Sequence, residues 1–113
     1  MKSPFRRRRF LAIAAAAALT TTHAQAADGT WNVDANGNWS TTTNWLSEIV
    51  ADGSGSAANF TNDITADRTV TLDSNRTLTS IVFGDSDTSS AGSWILSGSS
   101  TLTLAGTTPG ITV

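Results

Sequence analysis

Few side chains in this chain are equipped for chemistry. Asp63, Asp67 and Asp73 lie close enough in sequence to supply a carboxyl pair of the kind that cleaves glycosidic bonds. Each also flanks a short strand-like run, where a carboxylate is ordinarily a solvated turn residue. Asp34-Ala35-Asn36-Gly37-Asn38 sets oxygen ligands at alternate positions, a faint likeness to a calcium loop. The glycine is misplaced for that loop, however, and the twelfth residue from Asp34 is Trp45 rather than Glu. Turn chemistry, in which Asp and Asn bond nearby backbone, accounts for this run and for Asp85-Ser86-Asp87. Trp31, Trp39 and Trp45 fall within 15 residues. Their flat faces could stack on sugar rings, or they could cover one end of a β-fold as buried anchors. Three glycosylation sequons begin at Asn38, Asn59 and Asn75, about the number that seven asparagines give by chance in so Ser/Thr-rich a chain.

After residue 26 the chain has no His, Cys, Lys or Tyr, so most general bases and nucleophiles are missing. We expect no enzyme, no cofactor and no metal centre. With no cysteine there is no disulfide. Two arginines, Arg68 and Arg76, stand against nine acidic residues, which leaves this part a formal charge of −7. Such a chain repels phosphate backbones and anionic lipid, so nucleic acid and membrane surface are disfavoured partners.

The first 26 residues read as an export signal. Lys2 and Arg6 to Arg9 form a basic stretch, Phe10 to Leu19 an apolar one, and Ala24-Gln25-Ala26 a small-x-small cleavage site. The cut is expected between Ala26 and Ala27. Ten apolar residues are too few for a permanent span, which needs about 20. Arg7-Arg8-Arg9-Phe10-Leu11 also fits the twin-arginine pattern, so general secretion and twin-arginine export both stay open.

What must position these residues is β-structure. Arg68-Thr69-Val70-Thr71-Leu72, Arg76 to Phe83, Trp94 to Ser97, Thr101 to Leu104 and Ile111 to Val113 alternate Thr or Ser with apolar residues. Period two puts the apolar set on one face of a strand. Arg68-Thr69-Val70-Thr71 matches Arg76-Thr77-Leu78-Thr79 at an offset of 8, and Thr77-Leu78-Thr79 matches Thr101-Leu102-Thr103 at an offset of 24. Eight residues suit a strand plus a turn, and 24 suit one coil of three strands. A solenoid is the reading these offsets favour, with an antiparallel sandwich as its rival. Asn36-Gly37 is a hairpin signal, and a three-residue loop there would set Val33 opposite Trp39. Residues 51–58 have the composition of a surface loop. The expected organisation is a signal peptide over 1–26, a Trp-rich cap segment and loop over 27–58, and β-repeats over 59–113. The core is thin, and the last strand coincides with the final residue, so further repeats of the same protein are the expected partner.

Thr30-Trp31, Gly37-Asn38-Trp39-Ser40, Asn44-Trp45, Ala58-Asn59-Phe60, Val70 to Asp73, Leu78 to Gly84 and Trp94 to Gly98 occur in an order that resembles bacterial proteins with autotransporter-associated β-strand repeats. The resemblance implies a right-handed parallel β-helix, begun by a tryptophan-rich capping hairpin and preceded by a helical signal peptide. It also implies an exported, surface-displayed, adhesin-like protein without catalytic residues. The alternative function is an extracellular carbohydrate-binding module using Trp31, Trp39 and Trp45 against a polysaccharide.

Overall fold

A computed structural model describes residues 25–113. The expected signal segment, up to Ala24, lies outside the described residues. The described chain contains nine short strands: β1 Gly29–Thr30, β2 Gly37–Asn38, β3 Ala57–Phe60, β4 Arg68–Thr71, β5 Arg76–Leu78, β6 Ser80–Phe83, β7 Trp94–Ser97, β8 Leu102–Leu104 and β9 Gly110–Thr112. Two 3-10 turns, Thr42–Asn44 and Leu46–Glu48, lie between β2 and β3. Thr and Val are stiff at the β-carbon and suit a pleated surface, and the alternation sorts them. Ala58, Phe60, Val70, Leu72, Leu78 and Ile81 are buried, while the intervening Thr69, Thr71 and Thr77 keep contact with solvent.

The strands form three sheets in the orders β1-β3-β6-β9, β2-β4-β7 and β5-β8. Every strand pairing is parallel. The first circuit places β1 and β2 in the first two sheets, the next two run through all three sheets as β3-β4-β5 and β6-β7-β8, and β9 begins another layer. This is a parallel β-solenoid of about three coils. The sandwich alternative is set aside, because the antiparallel contacts among the described residues are two single bridges, Ala27 with Asp52 and Trp31 with Trp45.

Three details differ from the expectations drawn from sequence. Asn36-Gly37 does not turn a hairpin. Gly37 opens β2 and pairs in parallel with Val70, and it is not among the glycines of positive φ, which a primed hairpin turn would require. Burial of Trp31 and Trp39 against the second coil outweighs the local turn preference. Gly37 serves instead for close approach, since a side chain there would run into the Asn44 amide.

Residues 51–58 are not a solvent loop. Ala51, Ser56 and Ala58 are buried, and the carbonyl of Ala51 accepts the indole N–H of Trp39 at 3.0 Å. The small residues there give room for backbone to pass beneath a tryptophan.

The third difference is register. Thr77 faces Thr103, and Leu78 faces Leu104. The coil is therefore two residues longer than the Thr-Leu-Thr match implied. A slip of two keeps every side chain on its own face, so the sequence match could not detect it.

Candidate functional site

The arrangement concentrates at three places: the covered end, the steps between coils, and the open end. At the covered end Trp31, Trp39 and Trp45 are 0%, 0% and 2% exposed. Their rings meet one another and Phe60. Trp31 and Trp45 lie edge to face at 5.3 Å, and Trp39 and Trp45 are 5.1 Å apart. Phe60 lies 5.4 Å from Trp39, 5.7 Å from Trp45 and 6.0 Å from Trp31. Trp45 donates its indole N–H to the carbonyl of Trp39 at 2.7 Å. The sugar-stacking platform is not formed, because every ring face that would receive a pyranose is already covered. The three tryptophans are the first layer of an aromatic stack. The register sets Trp31 beneath Phe60 and Phe60 beneath Phe83, whose rings stack at 5.3 Å and 17°. Trp94 packs on Phe60 at 5.5 Å and donates its N–H to the Gly84 carbonyl.

Between coils, an Asp or Asn stands immediately before a strand in four places: Asp28 before β1, Asn36 before β2, Asp67 before β4 and Asn75 before β5. Each accepts, through Oδ1, the backbone N–H of its register partner one coil up. The pairs are Asp28 with Ala57 (2.8 Å), Asn36 with Thr69 (2.8 Å), Asp67 with Ser93 (2.9 Å) and Asn75 with Thr101 (2.8 Å). The side chain substitutes for a strand carbonyl and extends the parallel ladder by one rung. It also satisfies an N–H that would otherwise be unpaired where the sheet begins. In the sequence Asn36 and Asp67 read as turn residues and Asn75 as part of a sequon, and Asp28 drew no reading. The available signal was their place, one residue ahead of four of the nine strands.

The remaining polar groups also lie in the coil corners. Arg68 pairs with Asp34 at 2.6 Å, and Asp34 also accepts from the Thr65 hydroxyl and N–H. These bonds, the one from Arg68 foremost, lower the pKa of the Asp34 carboxyl to about 2. Arg76 bridges Asp52 at 2.9 Å and Ser40 at 2.7 Å. Asp73 accepts both N–H and O–H from Ser40. Desolvation pushes its pKa upward, but the Ser40 bonds, a backbone bond of its own residue and the charge of Arg76 together outweigh this, and the net shift is downward. Asp63 shifts upward, from desolvation first and then from the negative charges of Asp87, Asp85 and Asp34.

Asp63, Asp67 and Asp73 are thus divided among three different environments, and the geometry does not assemble them as a catalytic set. The Asp34-Asn36-Asn38 run does not converge on one point either. Asp34 serves Arg68 and Thr65, Asn36 serves Thr69, and no group of three or more His, Cys, Asp or Glu among the described residues is placed to hold a metal ion.

At the other end β7, β8 and β9 each expose an unpaired edge. A cavity of about 380 Å³ opens there, lined by Phe83, Gly84, Asp85, Ser93, Trp94 and Val113 among others. Ile111 is 60% exposed because nothing described lies above it. No family model, curated protein or solved structure matches the chain. No helix among the described residues is long and apolar enough to cross a membrane.

Proposed function

We propose that this chain is an exported structural protein, a surface-displayed β-solenoid that serves as a scaffold and is adhesin-like in kind. One observation carries the reading. The described residues form a parallel β-solenoid whose coils stack through continuous parallel ladders and whose first coil is closed by a tryptophan layer. Stacked coils about 4.8 Å apart make a stiff rod without any catalytic apparatus.

Export is supported by the basic and apolar runs ahead of Ala24-Gln25-Ala26 and by the acidic, cysteine-free composition of residues 27–113. The fold also takes up the chain at the expected cut. Ala27 donates to the Asp52 carbonyl at 2.8 Å and accepts from the Asp52 N–H at 3.1 Å. Ala26 packs so closely on Gly53 that a side chain there would clash.

The test is expression of the full chain in a bacterial host, with cell fractionation and N-terminal sequencing. A mature product outside the cytoplasm that begins at Ala27 is the expected result. Cytoplasmic protein that retains Met1 overturns the extracellular reading. A polysaccharide pull-down run beside it examines the carbohydrate-binding alternative, for which the buried tryptophans offer no surface.

A further inference from the structure

Three Asp-Gly or Asn-Gly steps occur in the chain, Asp28-Gly29, Asn36-Gly37 and Asp52-Gly53, and all three precede β3. In such a step the glycine nitrogen can attack the side-chain carbonyl carbon in front of it, because no β-carbon hinders the approach. Two of the three follow from demands of the fold. Asp28 and Asn36 are rungs to the second coil. The residue after each must be glycine, since a side chain at Gly29 would meet Trp45 at 2.8 Å and one at Gly37 would run into Asn44 beside Trp31. At the second-coil rungs Asp67 and Asn75 the following residues are Arg68 and Arg76. The tryptophan layer thus writes a reactive dipeptide into the first coil.

Asn36 is the most reactive of the three. Its amide is neutral and can release ammonia, whereas Asp28 and Asp52 carry carboxylates, which resist a nucleophile, and Asp52 also binds Arg76. The Gly37 nitrogen loses its proton to hydroxide and bonds to Cγ of Asn36. The Cγ–Nδ2 bond breaks and ammonia leaves. Water then opens the cyclic imide at either carbonyl and gives aspartate or isoaspartate, the second with its main chain routed through the side chain. Asn36 is exposed, so water reaches it. In the folded coil one residue holds both reacting groups. The Asn36 Oδ1 accepts the Thr69 N–H at 2.8 Å. The ladder that joins the Trp39 N–H to the Thr71 carbonyl also joins the Gly37 N–H to the Thr69 carbonyl. The Asn36 amide is drawn across to the neighbouring strand, and the Gly37 proton is closed to base.

We propose that Asn36 is a self-deamidation site that folding of the first coil holds in check through Thr69. The two products differ in consequence. Aspartate keeps an oxygen at the rung, and Asp28 and Asp67 already make the same bond elsewhere in the molecule. Isoaspartate adds a main-chain carbon immediately ahead of β2, which carries Gly37 out of register with Val70 and Trp39 away from its buried place. A chain left unfolded therefore loses its tryptophan layer by its own chemistry, while a folded chain keeps it. The proposal does not depend on export or on the scaffold reading.

The experiment follows the full chain in mildly alkaline buffer, folded in one sample and held in urea in the other. Peptide mapping by mass spectrometry, with chromatography that separates aspartate from isoaspartate, reads position 36. Conversion should be at least about tenfold slower in the folded chain, because it must wait for the ladder to open. Urea-treated chain returned to native buffer and passed over a sizing column should carry the aspartate form in the folded monomer and the isoaspartate form in the unfolded or aggregated fraction. Asn36→Asp should melt as the wild type does. No conversion in urea overturns the site, and equal rates in the two samples overturn the protection by Thr69. Isoaspartate found in the folded monomer as readily as aspartate, or a markedly lower melting temperature for Asn36→Asp, overturns the stated difference between the products. Export of the chain is judged separately by its N-terminus.

Discussion

The indole N–H of Trp45 donates to the backbone carbonyl of Trp39 at 2.7 Å, while the two rings meet at 5.1 Å. One side chain thus closes the first coil twice, by packing and by satisfying a carbonyl that would otherwise be buried without a partner. Trp39 repeats the device by donating to Ala51. Trp39 and Trp45 thus contribute area and a polar handle together, whereas the Trp31 N–H is buried without a partner.

Removing one of them should be severe. Trp39→Ala empties a fully buried site and should cost about 3–5 kcal/mol. Total stability of a small domain is on the order of 5–15 kcal/mol, so much of the fold is at stake. Urea melts of wild type and variant measure the loss. An unchanged midpoint would mean that the tryptophan is not part of the core.

The side-chain rungs between coils are separable from the packing. Asp67→Ala leaves the Ser93 N–H without its acceptor and should destabilise by about 1–2 kcal/mol. Asp67→Asn keeps an oxygen in the same place and should recover most of that loss. If Asn and Ala variants melt alike, the bond to Ser93 contributes nothing.

Acid should weaken the corners. The pKa of the Asp34 carboxyl is held at about 2 against an ordinary 3.8. A lowered folded value means that the unfolded chain takes up the proton first. The stability this group contributes is complete above about pH 4 and is lost as pH falls from there toward 2. Asp73 and Asp87 are lowered and act in the same direction. Asp63 is raised and acts the other way, gaining stability as pH falls through its folded value. Three groups against one predict a melting temperature that declines below about pH 4. Asp34→Asn should flatten that decline, and a slope identical to wild type would show that the Arg68 pair plays no part in it.

Much of the fold was legible in the chain. Alternation at Arg68 to Leu72 and Arg76 to Phe83 placed β4, β5 and β6, because a strand side chain must face either in or out. The eight-residue offset between β4 and β5 marked successive sides of one coil. Partner register was not legible. Thr77 meets Thr103 rather than Thr101, and a period-two pattern is blind to a shift of two. The hairpin at Asn36-Gly37 misled for a related reason: local turn preference is weaker than burial of three tryptophans against Phe60. The rungs from Asp28, Asn36, Asp67 and Asn75 were visible as residues, but their acceptor role depends on a partner 26 to 33 positions away.

The central claim is a parallel solenoid in this register, and the lack of native cysteine allows a direct test of it. In parallel pairing Thr77 and Thr103 lie side by side on neighbouring strands, about 4.8 Å apart. Thr101 is displaced by two further residues, which places it about 8 Å from Thr77. A disulfide does not bridge Cα atoms more than about 7 Å apart. The double variant Thr77→Cys with Thr103→Cys should form an intramolecular disulfide under mild oxidation, detected by peptide mapping. Thr77→Cys with Thr101→Cys should stay reduced. A bridge in the second pair and none in the first would contradict the register, and a bridge in neither would contradict the parallel solenoid itself.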